Sequence, residues 1–276
     1  MILGLSAPLN IDSPAEWAKK HKQLGCGAVV FPVDCTAPED VIDGFCAAAR
    51  QEGLVIAEVG IWKNALAADP EERRQAVEYS IGQLRMAERI GAKCCVNIVG
   101  TPCGPVWDGA YAGNFSAETW DMAVRTIQYI IDAVQPVRTK FAIETMPWMI
   151  PTGPDEYLKL IRDVDREAFG VHMDLVNMIN CPQRYFFAEE FMEDCFRKLK
   201  GHILSCHLKD ILLLKPFTFQ LKECACGEGV LNLEKYAELA SREDPRIPMI
   251  IEHLESDEAY LESLAYVRKR LAGHLT

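Results

Sequence analysis

Short apolar runs alternate along the whole chain with longer stretches in which apolar residues recur every third or fourth position. The first pattern suits strands buried on both faces, and the second suits helices that cover them. Eight runs read as strands: ILGLS from Ile2, AVVFPVD from Ala28, VIAEVGIW from Val55, CCVNIVG from Cys94, KFAIETM from Lys140, FGVHMDLVN from Phe169, ILSCHLKD from Ile203 and PMIIEHL from Pro248. Helix signals fill the gaps. Ser13-Pro14-Ala15-Glu16 and Thr36-Ala37-Pro38-Glu39 match the capping box, Asp69-Pro70 pairs a cap with a first-turn proline, and Ser116 and Ser256 are further caps. Gly25, Gly53, Gly91 and Gly201 each follow a helical run, where a left-handed residue commonly ends a helix.

Alternating strands and helices, with no stretch of linker composition, predict parallel β-α units in a single domain over residues 1–276. Eight such units predict a closed (β/α)8 barrel, the TIM-barrel fold. An open doubly wound sheet is the alternative, but the G-x-G-x-x-G turn expected after its first strand is missing. Two connections are longer than the rest: TPCGPVWDGAYAGN after the fourth strand and ILLLKPFTFQLKECACGEGV after the seventh. Both leave the C-terminal ends of strands, where barrel enzymes build their sites.

Barrel strands point alternate side chains inward, and most of these are bulky and apolar. Glu144 breaks that pattern near the end of the fifth strand, and Asp174, His207 and Glu252 break it on the next three. Neighbouring strands lie about 4.8 Å apart, so four such groups at one end can converge. Three carboxylates crowded around an imidazole call for a positive charge among them. Oxygen donors in the majority suit one divalent ion, Mn2+, Mg2+ or Co2+, whereas Zn2+ is usually served by more His or Cys. Taken singly, each residue also suits an ion pair or a satisfied core position. Their joint appearance on four consecutive strands is what points to a site.

Other polar and aromatic positions cluster around these four. His172 shares a face with Asp174 and reads either as a supporting donor or as a substrate contact. Lys209 shares one with His207 and either steadies a substrate oxyanion or pairs with Asp174 or Glu144. Glu58, on the third strand, bonds either a substrate hydroxyl or a loop. His253 follows Glu252 directly, should face the other way, and reads as structural. Trp62, Trp107 and Trp148 fall at or just after strand ends, where aromatic faces can cover the C–H face of a sugar. Trp17 and Trp120 sit in helices and read as core.

Charge narrows the partners. Twenty-nine Lys and Arg against forty Asp and Glu give a net charge of −11 with no basic block, which argues against nucleic acid and favours a small neutral or cationic ligand. No apolar run approaches the roughly 20 residues that span a bilayer, so no membrane partner is expected. The N-terminus, MILGLSAPLN, lacks the marks of a secretory signal. Eleven scattered cysteines read as the reduced thiols of a cytoplasmic protein, and Cys94-Cys95 and Cys224-x-Cys226 lack zinc-knuckle spacing. Association into a homo-oligomer is left open.

Five motifs carry a family resemblance: IETMPW at 143–148, VHMDLVN at 171–177, SCHLKD at 205–210, GEGVLNL at 227–233 and IIEHL at 250–254. With them the chain resembles, over essentially its whole length, the xylose isomerase-like sugar isomerase and epimerase superfamily, (β/α)8 barrels that include ketose 3-epimerases. The resemblance implies a sugar substrate and one divalent metal, often Mn2+, held by Glu144, Asp174, His207 and Glu252. There is one departure. Ketose 3-epimerases tend to carry a substrate-binding His three residues after the sixth-strand Asp, where this chain has Asn177; Glu223 is the candidate replacement. The acid within Gly227-Glu228-Gly229 discourages an anion there, which favours an unphosphorylated sugar.

Such a site is expected to move a proton next to a carbonyl through an enediolate, with Glu144 and Glu252 on opposite sides as acid and base. Return of the proton to the opposite face epimerises; return to the neighbouring carbon isomerises. A keto-sugar derivative with a β leaving group would eliminate instead, making a lyase or dehydratase, and a non-catalytic sugar-binding barrel is the third reading. Endonuclease IV-like repair enzymes of the same superfamily need many histidines for three zinc ions. This chain has six, of which only His172 and His207 are well placed.

Overall fold

Strands β1 (Ile2–Leu5), β2 (Ala28–Val30), β3 (Val55–Gly60), β4 (Cys94–Asn97), β5 (Lys140–Glu144), β6 (Phe169–Met173), β7 (Ile203–Leu208) and β10 (Pro248–Ile251) form one parallel sheet in the order β1-β10-β7-β6-β5-β4-β3-β2. The computed structural model describes residues 1–7, 9, 13–215 and 217–276; part of MILGLSAPLN, and Pro216 in the connection after β7, lie outside the described residues. Every strand begins where its apolar run begins, and every strand ends sooner than the run. The sheet curls into a nearly closed barrel. At the seam, the Gly27 N–H donates to Leu3 O at 2.8 Å, joining β1 to β2. Gly4 makes that approach possible: a Cβ there would lie 2.5 Å from Ala28 O.

Helices α1 (Pro14–Gln23), α2 (Glu39–Gln51), α3 (Pro70–Ile90), α4 (Ala117–Val134), α5 (Pro154–Val164), α6 (Leu175–Met178), α7 (Pro182–Phe186), α8 (Ala188–Lys198), α9 (Leu233–Glu243) and α10 (Asp257–Arg270) fill the connections. Ser13, Asp69, Ser116 and Ser256 accept backbone N–H groups of their helices' first turns. Thr36 does not. Helix α2 starts behind Pro38 without a side-chain cap, while the Thr36 amide and hydroxyl both donate to Asp34 Oδ1, closing a local turn instead. All four glycines read as helix ends have φ between 68° and 82°. Among the described residues, no helix is long and apolar enough to cross a membrane.

The main core lies between strands and helices, where Leu3, Leu5, Val29, Ile56, Phe141, Ile143, Cys206 and Leu208 meet helix residues such as Leu84 and Tyr157. Inside the barrel, small residues dominate: Ala28 and Ala57 with Ile2 and Ile250, then Cys94 and Ala142 with Val96. Two β-bulges change which residues join this interior. Val29 pairs with Ile56 but Val30 with Glu58, and Val171 pairs with Ile203 but His172 with Ser205. The extra residues, Ala57 and Leu204, shift the in-out phase of β3 and β7. Glu58, Ser205, His207 and Lys209 then point inward, whereas strict alternation from the start of each strand would send them out.

The connection after β7 is not an irregular loop. It folds into an antiparallel hairpin, β8 (Asp210–Leu213) with β9 (Leu221–Cys224), in the register Ile211↔Glu223 and Leu213↔Leu221. Asp210 ties down its base: Oδ1 accepts the N–H of Ile211 and Leu231, and Oδ2 that of Gly227. A Cβ on Gly229 would lie 2.3 Å from Asp210 Oδ1, so glycine is what lets the Gly-Glu-Gly turn close on this carboxylate. The turn is spent on the scaffold.

Candidate metal centre and the pocket beside it

Glu144 ends β5, Asp174 follows β6 directly, His207 lies near the end of β7, and Glu252 follows β10 directly. All four are buried, and one donor atom from each lies within 4.8 Å of the others. His207 Nδ1 is the hub: Glu252 Oε1 stands at 2.9 Å, Glu144 Oε1 at 3.5 Å and Asp174 Oδ2 at 3.7 Å. Metal–oxygen bonds of about 2.1 Å at right angles would set neighbouring donors about 3 Å apart, close to these spacings. Glu144 Oε2 is buried without a hydrogen-bond partner, while Asp174 Oδ2 and Glu252 Oε1 share one lysine ammonium and crowd His207 Nδ1. Orphaned buried acceptors are costly, and a cation among them removes the cost. The donor set therefore fits a divalent ion.

Asp174 also caps the short helix α6, its Oδ1 accepting the Asn177 N–H at 2.9 Å. The Asn177 side chain turns back to donate to Glu144 Oε1 at 3.1 Å and to Thr145 O at 3.0 Å. Asn177 thus orients one carboxylate and, through its backbone, another. Lys209 pairs with Asp174 Oδ2 and Glu252 Oε1, each at 2.8 Å, and with Glu223 Oε2 at 3.1 Å. Of the two ion pairs expected for it, the one with Asp174 forms. His253, expected to face away, is on the site instead. The strand ends at Ile251 and a φ of +56° turns the chain, so alternation no longer holds. Its Nδ1 lies 3.2 Å from Glu223 Oε2 and its Nε2 3.4 Å from Glu252 Oε2.

Glu58 and His172 lie behind the cluster, inside the barrel. Glu58 Oε2 is 3.5 Å from His207 Nε2, and its Oε1 is 3.7 Å from His172 Nδ1. His172 Nδ1 also meets Ser205 Oγ at 2.5 Å, and its ring packs edge-on against His207 with centroids 4.0 Å apart. Both side chains are buried, and neither lines the cavity described below. Glu58 stands against the outer nitrogen of His207, with His172 on its other oxygen. A carboxylate on the far nitrogen of a ligating imidazole fixes the ring and frees the other nitrogen.

Electrostatics separate the two glutamates. Burial pushes Glu144 up to about 7, only partly opposed by His207. Burial acts on Glu252 as well, but His207 and Lys209 beside it draw its carboxyl down to about 2. Asp174, also opposed by burial, is held well below the usual range by Lys209 and His207. Burial disfavours the His207 cation, yet Glu252, Glu144 and Glu58 raise its pKa well above the ordinary value.

Next to the cluster lies a cavity of about 510 Å³, reached by Asn177, Glu223 and His253 from the cluster side and walled by Trp148, Ile179, Ile211 and Phe219 among others. The Trp148 indole N–H donates to Asp108 O at 2.7 Å, fastening the connection after β4 to that after β5. Trp62, with φ +51°, covers Gly60, and Trp107 is partly buried in its loop; neither lines this cavity. Trp17 is buried against Phe45, as expected of core. Trp120 is only partly buried and joins α4 to α5 through Asp163, with Lys159 over its ring. Asn180, Ile179, Ile211 and Phe219 carry no sequence signal of a site, because their placement depends on α6 and on the hairpin.

A parallel eight-stranded barrel with a buried acid and histidine cluster at the C-terminal ends of four consecutive strands defines a barrel protein with a candidate divalent-cation site. The chain belongs to the xylose isomerase-like TIM barrel family, which matches residues 18–270. An uncharacterized protein of Escherichia coli K12, YihM, is 27% identical over 120 residues, 43% of this chain and 33% of that protein, so the match spans about a third of the relative's length. Two solved structures share the fold. D-psicose 3-epimerase from Clostridium cellulolyticum H10 has a TM-score of 0.71 at 12% identity, covering 98% of this chain and 99% of its own. The probable 3-DHS dehydratase AsbF from Bacillus anthracis has a TM-score of 0.73 at 13% identity, covering 98% and 99%.

Proposed function

We propose that this protein is a divalent-metal-dependent sugar isomerase or epimerase that moves a proton next to a carbonyl, with Glu144 and Glu252 as acid and base. The observation that carries the reading is the convergence of Glu144, Asp174, His207 and Glu252, three carboxylates crowded on one buried imidazole with Glu144 Oε2 left without a partner. These four would hold the ion, with Mn2+ first in line and Mg2+, Co2+ or Zn2+ behind it. Such an ion, when bound, supplies Lewis-acid polarisation of a carbonyl.

The side chains divide the remaining work. Glu58 holds the His207 ring from behind, and Asn177 fixes Glu144 through Oε1, leaving Oε2 without a partner. Lys209 holds Asp174 and Glu252 and contacts Glu223 of the pocket wall, and in this reading its ammonium steadies the negative charge that develops on a substrate oxygen. Trp148, Asn177 and Glu223 line the pocket as substrate contacts. An unphosphorylated sugar fits a site whose charged groups are mostly acidic.

Elimination by a lyase or dehydratase is the second reading, and one observation favours it. Lys209 pairs with Glu252 and leaves Glu144 Oε2 without a partner, an inequality that suits one base and one separate proton donor better than two interchangeable bases. The test is exchange of substrate C–H for deuterium across a panel of ketoses, aldoses and keto-sugars. Glu144→Gln should keep metal and lose about 10²- to 10⁴-fold in exchange. Full activity in that variant overturns its role, and loss of water or an aglycone from the product identifies the lyase.

A further inference from the structure

The two ends of the pocket differ in kind. On the cluster side Asn177, Glu223 and His253 present polar atoms, each already tied to Glu144, Lys209 or Glu252. The rest of the wall is mostly apolar, with Trp148, Ile179, Ile211, Phe219 and Leu221, and Asn180 adds a polar side chain. The hairpin register puts Ile211, Leu221 and Glu223 on one face of the ribbon. The Lys209 and His253 contacts to Glu223 hold that face against the pocket.

A free sugar carries an oxygen on nearly every carbon, and each one buried without a partner costs on the order of 1–3 kcal/mol. A sugar spread through the whole cavity would strand several. The apolar half calls for an apolar occupant, which gains by removing its own surface and that of the walls from water. Trp148 and Phe219, 38% and 39% exposed and supplied by two different loops, offer aromatic faces at the mouth that suit a flat ring.

We propose that the substrate is an uncharged keto-sugar conjugate bearing an apolar, ring-sized substituent, such as an aryl glycoside with a ketone on its sugar ring. The sugar sits over the cluster and the substituent lies on the hairpin wall. This rests on the sugar chemistry proposed above and names which sugars enter. The test is calorimetric titration of the Mn2+-loaded protein with phenyl and methyl glycosides of the same ring-ketone pyranoses, followed by deuterium exchange of those compounds, alongside Glu144→Gln and Phe219→Ala. At least one phenyl glycoside should bind tenfold or more tighter than its methyl counterpart, and Phe219→Ala should cut that ratio below about threefold. Glu144→Gln should retain the preference while losing exchange. If the phenyl preference is present but no sugar exchanges, the reaction assignment fails and the pocket assignment stands. Equal binding of the two series, no measurable binding of either, or a preference untouched by Phe219→Ala overturns the pocket assignment.

Discussion

Replacing Lys209 by Met removes one positive charge from among three acidic neighbours. The ammonium lies 2.8 Å from Asp174 and from Glu252 and 3.1 Å from Glu223, on a side chain only 2% exposed. At an effective dielectric of about 20, each of the two short contacts amounts to about 6 kcal/mol before the desolvation that opposes it. Measured net of desolvation, breaking a buried pair by removing one partner costs about 3–5 kcal/mol. Methionine keeps most of the volume, so the loss is electrostatic. In EDTA, with a urea slope near 3 kcal/mol/M, the variant's unfolding midpoint should fall by about 1 M or more. A divalent cation returns positive charge to the same carboxylates. With MnCl2 in place of EDTA the deficit should therefore shrink, and Mn2+ should raise the variant's midpoint more than that of the unmodified protein. A deficit below about 1 kcal/mol in EDTA, or one unchanged by Mn2+, would refute the reasoning.

Two further predictions concern the scaffold. His21 is buried on α1 with Nδ1 at 2.9 Å from Trp17 O, and burial lowers its pKa below 6.5 against the pull of that carbonyl. A depressed folded-state value means its contribution is complete above pH 6.5 and is lost as the pH falls below it. Urea unfolding of His21→Gln should accordingly show a gap from the unmodified protein that is widest at pH 7 and narrows toward pH 5; a constant gap contradicts this. Gly4→Ala places a methyl 2.5 Å from Ala28 O at the barrel seam and should cost about 1–3 kcal/mol in the same assay, and a neutral result would mean the seam is not tightly packed.

What the sequence could reveal follows from how local each signal is. Glu144 and Asp174 interrupt apolar runs, and a charge inside such a run is visible without knowing the neighbours. Strand ends were harder. AVVFPVD and FGVHMDLVN look like single strands, yet pairing stops at Val30 and Met173, because Asp174 leaves the sheet to cap α6. The bulges at Ala57 and Leu204 have no local mark, and they decide that Glu58 and Ser205 join His172 inside the barrel. The hairpin was hidden in a run, ILLLKPFTFQLKEC, whose Lys-Pro interruption reads as loop. His253 shows the limit of alternation: one left-handed residue just past a strand reverses which way its side chain faces.

On this reading one divalent ion occupies the Glu144, Asp174, His207 and Glu252 cluster. Elemental analysis by plasma mass spectrometry, after loading with Mn2+ and exhaustive dialysis, tests it in the unmodified protein and in Asp174→Ala and His207→Ala. About one ion per chain is expected in the first and a large loss in both variants, with each variant still folded by circular dichroism. No retained metal in the unmodified protein, or equal retention in all three, would contradict it.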